Sequence, residues 1–158
     1  MSSHGFTVTR NYLGLATAWR AEFKRGTPRG RVVGVNAEMD ALPGIGHGCG
    51  HNLIAMAGVG IALALRAALE KHDVPGTVIL LGTPGAWWSA ELWVLRCIAD
   101  HVSFFPCPRT GAAAEESGAG KQILLDRGAY KDMDICIMYV AVAFPSFPPF
   151  FLCAWGAF

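Results

Sequence analysis

Charge is scarce in this chain, and what there is cancels. Lys and Arg number 13 against 12 Asp and Glu, a formal net charge of +1, and charged residues make up only 16% of the 158. Soluble domains typically carry about 25%. The balance excludes a concentrated basic face of the kind that holds nucleic acid or an anionic membrane surface. With 53% hydrophobic residues, bulk disorder is excluded as well. Cysteine is sparse and unpatterned: there are five, with no C-x-x-C pair. An odd count without a framework fits a reducing compartment, and a cytoplasmic location, better than a disulfide-stapled secreted domain. The opening MSSHGFTVTRNYLG has no cationic start followed by an apolar run, so no signal peptide is expected.

From Ile135 to Phe158 there is no charged residue. The length of that stretch would suffice to span a bilayer. Pro145, Pro148 and Pro149 fall inside it, and proline in a helix interior is costly. The expectation is a strand followed by an irregular apolar tail, not a membrane span.

What is present reads as an α/β chain. Phe6–Arg10 and Thr17–Lys24 alternate loosely and predict a hairpin turning through Asn11–Gly14. Arg25–Gly30 predicts a turn, and Arg31–Asp40 a buried strand ending in acidic residues. Ala41–Gly50 is a loop dense in glycine. A helix is expected from Asn52 to His72, its LIAMAGVGIALAL half buried on several sides, and DVPG at Asp73–Gly76 stops it. Thr77–Leu81 (TVILL) is apolar without alternation, as in a central parallel strand. A short helix over Ser117–Gly128 and a strand over Asp134–Val140 follow. The alternation of strands and helices implies a mostly parallel sheet. Functional groups in such sheets gather beyond the carboxyl ends of the strands.

The loop after the strand ending at Asp40 holds the most reactive residues. MDALPGIGHGCGHN contains Asp40, His47, Cys49 and His51. Thiol and imidazole are natural zinc ligands, and a carboxylate can orient a ligating imidazole. Cys49 and His51 are one glycine apart, so in an extended loop both can face one metal. The helix that follows aims its positive end at Cys49 and favours the thiolate. An incidental glycine-rich connection fits this spacing equally well, which matches no standard short motif. A second cluster, AEESGAGK, offers Glu115 and Glu116. One carboxylate can bind a metal while its neighbour takes a proton from water. The same pair also suits a solvated helix start. GAGK lacks the full phosphate-loop pattern because Gln122 follows Lys121, so nucleotide binding is rejected.

The string NAEMDALPGIGHGCGHNLIAMAGVGIALAL closely resembles the M-twenty metallopeptidase family, in its aminoacylase/amidohydrolase-like branch, nearest the beta-alanyl-lysine dipeptidase group. LLGTP, AEESGAGK and LLDRGAYKDMDICIM resemble the segments that follow in that family, in the same order. The resemblance covers roughly residues 5–84 and 114–138. It implies a three-layer zinc-peptidase catalytic domain with a site for two zinc ions. Cys49, His51 and Glu116 would be metal ligands, Glu115 the general base, and Asp40 a carboxylate behind the site that orients the ligands. The implied reaction is hydrolysis of the amide bond of a dipeptide or N-acyl amino acid.

The chain also departs from that pattern. Residues 85–113, with three of the five Trp and two of the five Cys, separate LLGTP from AEE, which the resemblance would join directly. After Met138 an apolar tail, 139–158, replaces an expected His-Pro segment, and no lid domain or C-terminal half follows. Residues 1–138 therefore read as a partial catalytic domain with an atypical insertion at 85–113, followed by a tail foreign to the family. Both foreign segments have the character of translated intron or shifted-frame sequence. A two-zinc site takes about five protein ligands, by extension from three at a single catalytic zinc. Weak zinc binding and impaired or absent hydrolysis are the expectation. The competing reading is a non-catalytic truncated form acting through exposed apolar surface, on a homo-oligomer partner or at a membrane.

Overall fold

The computed structural model describes residues 1–26, 30–42, 46–84 and 119–140, and the backbone of 151–155. The strands are β1 (Thr7–Arg10), β2 (Trp19–Arg25), β3 (Arg31–Ala37), β4 (Gly76–Gly82), β5 (Ile135–Val140) and β6 (Phe151–Trp155); the helices are α1 (His51–Lys71) and α2 (Gly120–Asp126). They form one sheet in the order β1-β2-β4-β3-β5-β6.

The sheet is mixed, which corrects the expectation of a mostly parallel one. β3 runs parallel to both β4 and β5, while the β1–β2, β2–β4 and β5–β6 pairings are antiparallel. The cause lies at the edges. The tight turn between β1 and β2, with Asn11 and Leu13 in the left-handed region and Tyr12 N–H bonded to Ala18 O at 3.0 Å, forces antiparallel neighbours. At the other edge β5 continues through Tyr139 to Val140, and its last residues pair with β6. Only the centre, where α1 crosses between β3 and β4, is parallel.

Burial on both faces explains the unalternating TVILL. Val78 and Leu80 pack with Phe6, Ala21, Val35, Ala37 and, from α1, Ala62. Ile79 and Leu81 face the other way, onto Leu124 of α2 and Ala129, Tyr130 and Met133 just beyond it. The helices thus cover opposite faces of the strands whose carboxyl ends build the site.

α1 starts at His51, after Gly50 in the left-handed region, and stops before Asp73, which is also left-handed. Its apolar half is not buried on several sides as expected. Burial is confined to the stripe His51, Ile54, Gly58 and Ala62, while Met56 is 61% and Leu53 46% exposed. The small residues let the helix lie close on the sheet: a Cβ on Gly58 would stand 3.1 Å from Ala37 Cβ and 3.3 Å from Asn36 O. Beside that stripe Val59, Ile61 and Leu65 are only half-buried, packed against the edge of the same core. By length and composition alone α1 could cross a membrane, but its stripe is spent on β3 and β4.

Candidate functional site

β3 ends at Ala37, and the chain runs on extended through Glu38 to Asp40. Beside it β4 ends at Gly82, and Thr83 N–H donates to Ala37 O at 2.9 Å. The crevice lies beyond the carboxyl ends of two neighbouring parallel strands, where α/β sheets collect their chemistry. The loop then returns through a Leu42–Gly46 bridge, and Gly50, at φ 79°, turns the chain into α1. Only glycine adopts that backbone without strain, and the turn puts His51 at the first position of the helix.

Asp40 and His51 meet directly. Asp40 Oδ1 lies 2.8 Å from His51 Nδ1, and the two side chains are 1% and 8% exposed. A carboxylate can only accept, so the proton of this bond sits on Nδ1 and Nε2 is turned away from Asp40. Glu38 stands on that other side, its Oε1 3.5 Å from Nε2. Glu38 Oε2 in turn accepts from Lys121 Nζ at 2.5 Å, with Glu38 3% and Lys121 34% exposed. The row Asp40–His51–Glu38–Lys121 links the end of β3, the start of α1 and the start of α2. Two buried carboxylates this close demand positive charge between or beside them.

The half-exposed Cys49 has its Sγ 3.9 Å from Asp40 O, on the same hinge as His51. Burial, reinforced by His51, holds the His47 imidazole below its ordinary pKa against the opposing pull of Asp40. Beneath the site Asn36 and Tyr130 exchange hydrogen bonds of 3.2 Å, both buried.

Of the residues singled out in the sequence, Asp40, Cys49 and His51 therefore converge on one hinge. Glu115 and Glu116 lie outside the described residues, as do the 85–113 insertion and most of the apolar tail. Glu38 and Lys121 are members that the sequence alone did not single out. Glu38 carried a local signal, since the strand visibly ended in acidic residues. Lys121 sits 83 positions away and carried none.

The donor chemistry fits a divalent cation in part. An imidazole oriented from behind by a carboxylate, with a thiol on the same hinge, is the pattern that suits a zinc-type ion. Among the described residues, however, no group of three or more His, Cys, Asp and Glu is arranged to hold one. They supply a fraction of a ligand set.

No family model matches the chain. It is similar to the Xaa-Arg dipeptidases of Mus musculus, at 39% identity over 133 residues, and Homo sapiens, at 37% over 134 residues. These alignments take in 80% and 78% of this chain and 24% of each relative. It is also similar to a p-aminobenzoyl-glutamate hydrolase of Escherichia coli K12, at 30% over 161 residues, covering 91% of this chain and 27% of that one. The chain thus spans about a quarter of the length of the curated relatives it matches. Over this partial region the chain is related to the peptidases and amidohydrolases of the M-twenty family.

Proposed function

We propose that this chain carries part of the catalytic domain of a metal-dependent hydrolase that cleaves the amide bond of a dipeptide or N-acyl amino acid. The observation that carries the reading is the 2.8 Å contact between Asp40 and His51 across the glycine hinge. The relatives' names, a dipeptidase and an aminobenzoyl-glutamate hydrolase, support the reaction class.

In this reading Cys49 and His51 hold the cation, with Glu116 as a further ligand, and zinc suits the thiolate and imidazole best. A bound divalent ion would make water a usable nucleophile near neutral pH and steady the tetrahedral oxyanion. Asp40 fixes the ring and tautomer of His51, so Nε2 is kept for the cation. Glu115 takes the proton from the attacking water and passes it to the leaving amine. Burial of Asp40 and Glu38 keeps bulk water from competing for those contacts.

Cys49, His51 and Glu116 are three of the about five protein ligands that a two-zinc site takes, so on this reading zinc binding is weak and hydrolysis slow. Zinc stoichiometry on the purified chain, with hydrolysis of a dipeptide panel followed by amine release, tests the reading. Sub-stoichiometric zinc that is lost in Asp40→Asn supports it. A chain that takes up no divalent cation overturns it, and turnover equal to a full-length relative overturns the impairment.

A further inference from the structure

The face of α1 that points away from the sheet is apolar. Leu53, Met56, Gly60, Ala64 and Ala67 are all exposed. Their spacing of three and four residues places them on one stripe, opposite the buried stripe of His51, Ile54, Gly58 and Ala62. A surface helix ordinarily carries polar residues on that side, and a helix apolar all round is one that something covers. The first charges on the exposed stripe, Glu70 and Lys71, come only at its end. The two halves of the stripe differ in size. Leu53 and Met56 project from the first half, while Gly60, Ala64 and Ala67 leave a shallow trough along the second. At Gly60 nothing lies within 4 Å of where a side chain would begin.

We propose that this stripe docks a second copy of the chain, the two α1 helices lying antiparallel and crossing at Gly60. A closed two-fold contact needs a surface complementary to itself, and this one is. Rotation about Gly60 lays Met56 of one copy on Ala64 of the other and Leu53 on Ala67, projection into trough at each place. Gly60 at the crossing lets the axes approach closely. Charge selects the same orientation. A parallel pair would bring Arg66 to Arg66, Glu70 to Glu70 and Lys71 to Lys71. In the antiparallel pair Glu70 and its copy stand about 30 Å apart, at 1.5 Å per residue, and the helix dipoles oppose each other. A lipid surface suits the stripe less well, because no Lys or Arg lies between Asn52 and Leu65. One helix face falls short of the roughly 800 Å² per partner of a standard interface, so the dimer is weak. The inference goes beyond the hydrolase reading and does not depend on it.

The test is sedimentation velocity of the whole chain between about 1 and 300 µM, a range that brackets weak association, with far-UV circular dichroism to verify folding. A monomer–dimer equilibrium is expected. Met56→Lys weakens it at least about tenfold, since the two-fold puts two unpaired charges into an apolar contact. Leu125→Lys, at an apolar position 41% exposed on α2, leaves it unchanged. If Met56→Lys disturbs folding, Gly60→Leu serves instead: it favours the helix but holds the two axes apart, and so weakens the dimer. Gly60→Cys fixes the register. Its two thiols meet at the axis and a short bismaleimide joins them, above the background of the parent chain, whereas Leu53→Cys, about 21 Å from its copy, is not joined. A parent chain that stays monomeric throughout the range overturns the proposal and gives the stripe to another part of the chain or to lipid. A folded Met56→Lys that dimerises like the parent overturns it as well. So does equal loss of association in Leu125→Lys, which marks non-specific contact, or cross-linking of Leu53→Cys as fast as Gly60→Cys, which marks a parallel pair.

Discussion

Arg20 of β2 and Asp132, after α2, close a two-pronged fork, Nη1 to Oδ1 at 3.1 Å and Nη2 to Oδ2 at 2.6 Å. The same guanidinium bonds Glu22 and the Tyr12 hydroxyl, and its carbon stands 5.7 Å from the centre of the Tyr12 ring. Burial works against its charge, but the bonds to Asp132, Glu22 and Tyr12 outweigh that and raise its pKa. The fork pins the segment that carries the α2 core residues against the antiparallel edge. Arg20→Met is expected to cost about 2 kcal/mol, since it removes the bonds to Asp132 and the Tyr12 hydroxyl together and leaves Glu22 with Lys24 alone. Asp132 is 55% exposed, so Asp132→Asn costs about 1 kcal/mol or less. Urea unfolding of the two variants checks both the size and the order.

Two carboxylates make stability depend on pH. Glu22 is partly buried, which opposes its charge, yet Lys24 and Arg20 hold its pKa below the ordinary value. Asp134 is held low by the backbone N–H of Val32, at 2.7 Å, and by Arg31. A group whose pKa is lower folded than unfolded stabilises the fold above its unfolded value. That contribution is lost as pH falls through the folded value. The apparent Tm is therefore expected to decline gently once pH falls below about 6.5, where His47 protonates more readily unfolded than folded, and to fall further below about pH 4, the unfolded carboxylate range. Asp134→Asn should flatten the acid limb. A Tm insensitive to acid in the parent chain would refute this.

The core strands were legible because their chemistry is local. TVILL announced burial on two faces, and DVPG announced the end of α1. The parallel-sheet expectation failed because strand direction at the edges is set by hairpin connections and by pairings far along the chain, such as β2 with β4. Leu53 and Met56 were misjudged for a related reason. Apolar composition says that a helix can be buried, while Gly58 and Ala62 decide which stripe meets the sheet. At the site, Asp40, Cys49 and His51 stand within one glycine-rich string and could be read together. Lys121 reaches Glu38 only because α2 packs across the sheet, and no local pattern encodes that.

Gly58 and Gly60 sit on different faces of α1 and respond oppositely to the same change. At Gly58 a methyl would meet Ala37 Cβ at 3.1 Å, Asn36 O at 3.3 Å and Leu80 Cδ1 at 3.5 Å. Backbone on a central strand yields little, so Gly58→Ala costs about 1–3 kcal/mol. At Gly60 nothing lies within 4 Å, and Gly60→Ala gains about 0.5–1 kcal/mol from helix propensity and a less free unfolded chain. Thermal unfolding of the pair measures the contrast. Equal effects at the two positions would mean that α1 is not seated on the sheet through this stripe.

Cysteine chemistry separates the hinge from the core. Burial pushes the Cys136 thiol up to about 11, and its sulfur sits among Gly34 and the Met133 side chain. The thiolate is the reactive species, so Cys136 is protected both by its protonation and by its packing. Cys49 is half-exposed on the glycine hinge. At pH 8, iodoacetamide should label Cys49 at least about tenfold faster than Cys136, whose raised pKa leaves little thiolate at that pH and whose access requires local opening. Peptide mapping by mass spectrometry gives the two rates separately. Zn²⁺ should slow Cys49 alone, because a thiolate bound to metal is no longer a free nucleophile, and leave Cys136 unchanged. Slowing at both positions would indicate general compaction of the fold, and slowing at neither would remove Cys49 from the ligand set.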